Sequence, residues 1–255
     1  MRIPSWSLLL LSLGILAGCF PRGDPSRPIP TALMAAPEKA RRLVVVLPGR
    51  ADDIDDLRAS GIAQAVQSAW PDADVVLTGL AIGFYMEGRA PQRLHDEVIA
   101  PARGRGYAEV WLVGASMGGL GALLHESSYP NGVDGMVLLA PYLGEKPLLQ
   151  QIAAAGGVAQ WQPPAVPAAT DFNNFQAELW QHLKSWQREP LRARNVWLAY
   201  GRSDRLRDTM PLLEPLLPPG QVLVRDGGHD WDLWSPITGE ILRRVDAQRG
   251  LAARP

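Results

Sequence analysis

Short apolar runs alternate with longer segments of helical periodicity along most of the chain. The runs that predict strands lie at 43–47, 75–77, 110–113, 136–140, 196–200 and 221–224. Between and after them, helical spacing of apolar residues occurs at 54–70, 92–103, 117–127, 175–186 and 236–248. The first run is apolar throughout, as in strands that a parallel sheet buries on both faces. The pattern predicts an α/β domain with a mostly parallel sheet of about six strands flanked by helices.

The interval between the fourth and fifth predicted strands, residues 141–194, is too long to be a bare connection in a compact domain. Pro163, Pro164 and Pro167 indicate a loop within it, and the amphipathic segment 175–186 predicts a helix. We therefore expect this insertion to have structure of its own.

The N-terminus has the pattern of an export signal. Arg2 is followed by an apolar run from Leu8 to Leu16, and then by small residues and the lone cysteine, Cys19. The run is too short for a membrane-spanning helix. The sequence from Leu16 to Cys19 resembles the bacterial lipobox, which implies cleavage after residue 18 and lipid chains on Cys19. The alternative is a plain signal peptide with an incidental cysteine.

These features predict three segments in the chain. Residues 1–18 are the signal, residues 19–42 are a lipidated cysteine and a proline-rich tether, and residues 43–255 are one domain. Phe20 follows the cysteine where enteric lipoproteins retained in the inner membrane have Asp. The resemblance therefore implies anchoring in the outer membrane, facing the periplasm.

Charge and cysteine content exclude several classes of partner. The 25 basic and 26 acidic residues are mixed along the chain and give a net charge of −1, so no basic face is available to bind nucleic acid. A single cysteine cannot form an internal disulfide bond. The four histidines are scattered and show no metal-ligand spacing, so we expect neither a metal nor another cofactor.

The segment 114–118, Gly-Ala-Ser-Met-Gly, matches the G-x-S-x-G pattern of a nucleophile elbow. It follows a predicted strand directly and precedes a predicted helix, which is the context that this motif requires. The glycines allow strand and helix to pack closely around a strained turn. The pattern predicts Ser116 as a catalytic nucleophile.

A serine nucleophile needs a base, and the base needs an acid to orient it. His229 is the histidine that follows the last predicted strand, whereas the other three lie in predicted helices or in the insertion: His95, His125 and His182. Asp204 follows the fifth predicted strand, where ligand-facing residues of parallel sheets emerge. Asp208 and Asp230 are its rivals.

Acyl transfer also requires N–H donors for the developing oxyanion. The N–H of Met117, directly after the nucleophile, is one candidate. The loop after the first strand supplies the other, at Arg50 or Ala51. The residues before these candidates are Pro48-Gly49, and the Arg50 side chain is either a surface charge or a contact for an anionic substrate group.

Together these motifs resemble the α/β-hydrolase superfamily across residues 43–248, and the segment from Gly228 to Trp234 is similar to the histidine region of esterase D-like members. Many members of this superfamily have His-Gly where this chain has Pro48-Gly49, which leaves the second oxyanion donor open between Arg50 and Ala51. The resemblance implies that residues 141–194 form a small helical cap over Ser116. It implies a serine hydrolase that cleaves a carboxylic ester of a small-molecule acyl substrate, with thioesterase, peptidase and acyltransferase as variants. The competing hypothesis is a non-catalytic lipoprotein that uses the same fold as a binding module.

Tyr85, Met86 and five aromatic residues of the insertion are candidates for the substrate pocket. The aromatic residues are equally explained as the insertion's own core: Trp161, Phe172, Phe175, Trp180 and Trp186.

Overall fold

The computed structural model of the protein describes residues 22–163 and 175–252. The predictions for the signal, for Cys19 and Phe20, for the loop at Pro164 and Pro167 and for Phe172 lie outside the described residues. Seven strands form one sheet: β1 (Thr31–Met34), β2 (Arg42–Leu47), β3 (Ala73–Thr78), β4 (Glu109–Ala115), β5 (Gly135–Leu139), β6 (Val196–Gly201) and β7 (Val222–Arg225). Their order across the sheet is β1-β3-β2-β4-β5-β6-β7. The strand β1 pairs antiparallel with β3, and all other pairs are parallel.

Nine α-helices flank the sheet within the described residues. They are α1 (Ile54–Ala59), α2 (Ile62–Ala69), α3 (Ile82–Met86), α4 (Ala90–Leu94), α5 (Ala100–Gly104), α6 (Met117–Ser128), α7 (Lys146–Ala154), α8 (Phe175–Ser185) and α9 (Trp231–Ala252). A π-helical turn, His95–Ile99, joins α4 to α5, and 3₁₀ turns lie at Pro190–Ala193, Arg207–Leu212 and Glu214–Leu216. No helix in the described ranges is both long and apolar enough to cross a membrane.

The sheet separates two apolar cores. One core packs α1, α2 and α9 against one face, and the other packs α4, α5, α6, α7 and α8 against the opposite face. The central strands β2, β4 and β5 are almost completely buried because both of their faces are covered. The expected α/β class with a mostly parallel sheet is therefore confirmed.

Four details differ from the sequence-based expectation. The sheet has seven strands instead of about six. The additional strand, β1, lies within the predicted tether and pairs with β3. The predicted helix at 54–70 is two helices, because Gly61 interrupts it with φ 74°. A π-helical turn interrupts the segment predicted at 92–103. The last helix begins at Trp231 instead of residue 236.

Candidate active site

Ser116 lies at the turn between β4 and α6. Its backbone has φ 51° and ψ −109°, and such rare conformations cost about 1–3 kcal/mol in a residue with a side chain. Two hydrogen bonds hold the turn: the Ser116 N–H donates to the Leu139 carbonyl at 2.8 Å, and the Tyr142 N–H donates to the Ser116 carbonyl at 2.8 Å. The end of β5 and the segment after it therefore stabilise the strained conformation.

Two glycines make this turn possible. A Cβ atom on Gly114 would overlap the carbonyl group of Gly118, and a Cβ atom on Gly118 would overlap the carbonyl group of Leu47. Both positions must remain glycine for α6 to begin this close to β4 and β2. The predicted elbow motif thus has the strand–turn–helix context that it requires.

Asp204 and His229 are in direct contact. The Nδ1 atom of His229 lies 2.9 Å from each carboxylate oxygen of Asp204. The Asp204 side chain is 0% exposed and the His229 side chain is 9% exposed, so little water competes for this bond. A proton on Nδ1 donates to the carboxylate, which leaves Nε2 as the basic nitrogen.

Close backbone packing brings the loops of these two residues together. A Cβ atom on Gly201, at the end of β6, would overlap the carbonyl group of Gly227, and the Ser203 N–H donates to that carbonyl at 3.0 Å. The Leu206 N–H also donates to Asp204 Oδ1 at 2.7 Å, which orients the carboxylate. The loops after β6 and β7 are therefore held against one another.

The Nε2 atom of His229 is buried and has no hydrogen-bond partner among the described residues. The imidazole packs edge-on against the Trp234 ring, with 4.7 Å between centroids and an interplanar angle of 80°. Asp204 thus orients Nδ1 of His229, and the Trp234 indole supports the imidazole ring. The Nε2 atom can therefore accept or donate a proton.

The rival residues make other contacts. Asp208 lies in a 3₁₀ turn and pairs with Arg207 at 3.4 Å, and Asp230 accepts from the Leu233 N–H at 3.3 Å near the start of α9. In the described ranges, the other three histidines contact different groups. His95 and His125 approach each other at 3.4 Å, and His182 bonds to Glu126.

The candidate oxyanion donors belong to two segments, the start of α6 and the loop after β2. Met117 is the first residue of α6, and Arg50 follows β2 and lines the same cavity as Ser116. Ala51 is exposed one residue further along. Sequence reasoning did not single out the neighbouring Asp52, whose carboxylate contacts this loop and the histidine loop.

A cavity of about 860 Å³ opens beside Ser116. Its apolar lining includes Ile82, Leu120, Leu124, Phe175 and Leu179, and its charged lining includes Arg50, Glu145, Glu178 and Arg205. Tyr142, also in the lining, donates its hydroxyl to Glu145 at 2.5 Å. Burial and this bond to a carboxylate both raise the pKa of Tyr142. Tyr85 lines the cavity, whereas Met86 is largely exposed.

The described part of the 141–194 insertion consists of α7, α8 and the 3₁₀ turn at Pro190–Ala193. Trp161, Trp180 and Trp186 are buried in the core, and Phe175 instead lines the cavity. The buried Glu126 of α6 contacts His182 of α8 and lies 3.2 Å from Arg192. The helix that begins after Ser116 is thus linked to α8, which covers part of the cavity.

Within residues 22–163 and 175–252, no group of three or more His, Cys, Asp or Glu side chains is arranged to hold a metal ion.

Comparisons with known proteins identify a family model and similar folds. A family model described as serine aminopeptidase, S33, matches residues 94–208, a segment that includes Ser116 and Asp204 and ends before His229. No curated protein sequence matches the chain.

Similar solved structures include Est1E from Butyrivibrio proteoclasticus, with 12% identity, a TM-score of 0.58 and coverage of 86% of this chain and 93% of that one. A ferulic acid esterase has 14% identity, a TM-score of 0.56 and coverage of 85% and 96%. S-formylglutathione hydrolase from Staphylococcus aureus has 12% identity, a TM-score of 0.54 and coverage of 85% and 96%. The chain has the α/β-hydrolase fold.

Proposed function

We propose that this protein is a serine hydrolase that cleaves a carboxylic ester, or a related acyl bond, through an acyl-enzyme intermediate. The observation that carries the proposal is the buried Asp204–His229 pair at the sheet edge where Ser116 occupies a strained turn. Ser116 follows β4, Asp204 follows β6 and His229 follows β7, and these strands are parallel. The carboxyl ends of parallel strands lie at one edge, which is where ligands of such sheets bind.

In the proposed mechanism, His229 Nε2 removes the Ser116 hydroxyl proton as Oγ forms a bond to the acyl carbon. Asp204 stabilises the resulting imidazolium through Nδ1–H. When the tetrahedral intermediate collapses, the bond to the leaving alcohol breaks and Nε2–H protonates its oxygen. The same nitrogen then takes a proton from water, which attacks the ester, and Ser116 leaves with that proton restored.

The negative charge on the acyl oxygen needs fixed N–H donors. We assign this role to the Met117 N–H, at the start of α6, and to the Arg50 or Ala51 N–H, in the loop after β2. Loss of one such donor typically lowers kcat by about 10²–10³.

The cavity supports an acyl substrate with a substantial apolar part. Its apolar lining lies on α3, α6 and α8, and charged side chains are part of the same wall. The structural neighbour described as a ferulic acid esterase favours an ester bond, and the family model described as serine aminopeptidase favours an amide. The proposal therefore gives priority to esters and includes aminoacyl amides among the substrates to be tested.

A fluorophosphonate probe followed by an acyl-ester panel tests the proposal. We expect the probe to label wild-type protein and the control Ser26→Ala, which changes an exposed serine, but not Ser116→Ala. A panel of p-nitrophenyl esters of graded chain length, with thioesters and aminoacyl arylamides beside them, then identifies the bond and the depth of the pocket. A folded wild-type protein that the probe does not label would contradict the proposal and favour the non-catalytic binding module.

We also propose that Cys19 carries the lipid anchor of an exported protein that faces the periplasm from the outer membrane. The support is the sequence from Leu16 to Cys19 together with the short apolar run before it. Labelling with an alkyne-tagged fatty acid in a bacterial host should occur in the wild type and disappear in Cys19→Ser. Equal labelling of both proteins would contradict the anchor, and membrane fractionation of the wild type locates it.

A further inference from the structure

One carboxylate oxygen joins two loops of the candidate active site. Asp52 Oδ2 accepts a hydrogen bond from the Gly49 backbone N–H at 2.9 Å and another from the Trp231 indole N–H at 3.0 Å. Gly49 belongs to the loop that contains the candidate oxyanion donors, and Trp231 follows His229 by two residues. Asp52 and Trp231 are 179 positions apart, so the contact exists only through the tertiary fold.

The contact extends from Trp231 to the candidate base through two aromatic rings. Trp231 packs edge-on against Trp234 with centroids 5.3 Å apart at 89°, and Trp234 packs edge-on against His229 with centroids 4.7 Å apart. A hydrogen bond that fixes the Trp231 indole therefore also limits the movement of the ring that supports the imidazole.

The Gly49 backbone lies between this oxygen of Asp52 and the residue before Ser116. A Cβ atom on Gly49 would be 2.8 Å from Asp52 Oδ2 and 3.8 Å from the carbonyl oxygen of Ala115, the residue before Ser116. The Gly49 backbone is thus packed between the Asp52 carboxylate and the elbow.

Helix capping does not account for the Asp52 carboxylate. The N-cap of α1 is the neighbouring Asp53, whose side chain accepts from the N–H groups of Asp55 and Asp56. The Asp52 carboxylate instead contacts the loop after β2 and the first residue of α9.

We propose that Asp52 is a positioning residue for acyl transfer: it holds the oxyanion loop and the aromatic support of His229 in fixed relation to Ser116. This inference rests on the proposed function. Donors and base act in the transition state only when their positions are set in advance, so loosening both loops should weaken binding of the transition state more than binding of the ground state.

Asp52→Ala tests the proposal with the best ester of the panel. We expect kcat to fall about tenfold to hundredfold with KM changed less than about twofold, because the lost interaction acts in the transition state. The affinity for a trifluoromethyl ketone, which adds to the serine and forms an oxyanion, should fall by a similar factor. Inhibition by the product acid should stay unchanged.

Two further variants and a control sharpen the test. Asp52→Asn should retain kcat within about threefold, because its carboxamide oxygen can accept both N–H groups. Trp231→Phe keeps an aromatic ring but removes one donor, and should lower kcat by about threefold to tenfold. Asp55→Ala is the control. It removes an exposed carboxylate in α1 that pairs with Arg58, and it should leave all kinetic parameters unchanged.

Wild-type kcat and ketone affinity in a folded Asp52→Ala protein would overturn the proposal. The proposal would also be overturned if the activity of Asp52→Ala fell only in proportion to the fraction of folded protein and returned to the wild-type value at low temperature. If Asp52→Ala does not fold, Trp231→Phe serves as the test in its place. An unchanged kcat in Trp231→Phe would then overturn the proposal. A wild type that the fluorophosphonate does not label defeats the proposed function instead, so the two failures are distinguishable.

Discussion

At the scale of single residues, the proposed chemistry depends on a carboxylate that is buried from bulk solvent. Asp204 is completely buried, and its oxygens accept from the His229 imidazole and from the Leu206 backbone N–H. Asp208, four residues later, is exposed on the next turn and pairs with Arg207. The two aspartates therefore form a matched pair for mutation, since only one of them contacts the imidazole.

We expect Asp204→Asn to lower kcat by about 10²–10⁴ without loss of the fold, and Asp208→Asn to leave kcat unchanged. The amide oxygen still accepts from Leu206 N–H, but an uncharged group stabilises the imidazolium less and permits the wrong tautomer. Steady-state kinetics and circular dichroism of both variants check this. A large loss of kcat in Asp208→Asn, with Asp204→Asn fully active, would reverse the assignment of the acid.

At the scale of elements, α6 begins directly after Ser116 and contains the buried His125 near its end. His125 stacks with His95 and Tyr129, and its Nδ1 atom is buried without a hydrogen-bond partner among the described residues. Burial, together with the nearby His95, lowers the pKa of His125 to about 4 from its ordinary value of 6.5. The helix that positions the candidate nucleophile therefore contains a group that resists protonation.

This lowered pKa predicts that acid destabilises the fold. Between pH 6.5 and pH 4 the unfolded chain binds a proton at His125 that the folded chain does not, so stability falls as the pH decreases through that window. The loss reaches about 3 kcal/mol near pH 4 and is absent above the unfolded pKa. Urea unfolding of the wild type and His125→Gln at pH 7 and pH 4.5 checks this. Identical pH dependence in the two proteins would contradict it.

At the scale of the whole molecule, the segment before the parallel sheet is part of the folded domain. The Ile29 N–H donates to Glu97 at 2.6 Å, and Arg93 donates to the carbonyl groups of Pro25 and Arg27 at 2.6 and 2.5 Å. The strand β1 then covers the edge of β3, and a sheet edge left unpaired promotes association between chains.

Truncation separates a tether from a structural segment. We expect a chain that begins at Arg22 to retain the thermal stability of the protein, and a chain that begins at Pro37 to lose at least about 5 °C in Tm. Burial of Ile29 alone is worth about 1.5–3 kcal/mol, and β1 pairing is lost as well. Thermal denaturation and light scattering compare the two. Equal Tm values would mean that residues 22–36 contribute nothing to the fold.

The sequence by itself determined the alternation of strands and helices, because burial on both faces requires the continuous apolar runs of β2, β4 and β5. It also predicted the Ser116 elbow, since close packing at Gly114 and Gly118 excludes any side chain. It did not reveal β1, because a short edge strand in a proline-rich segment lacks the apolar run of a central strand.

Only the tertiary structure showed which carboxylates contact which rings. Asp204 and His229 are 25 positions apart and come into contact because the loops after β6 and β7 pack backbone to backbone at Gly201 and Gly227. Asp52 accepts a hydrogen bond from Trp231, 179 positions later, because the sheet brings the loop after β2 close to the start of α9. Local patterns encode which face of an element is buried, whereas contacts between loops depend on the register and twist of the whole sheet.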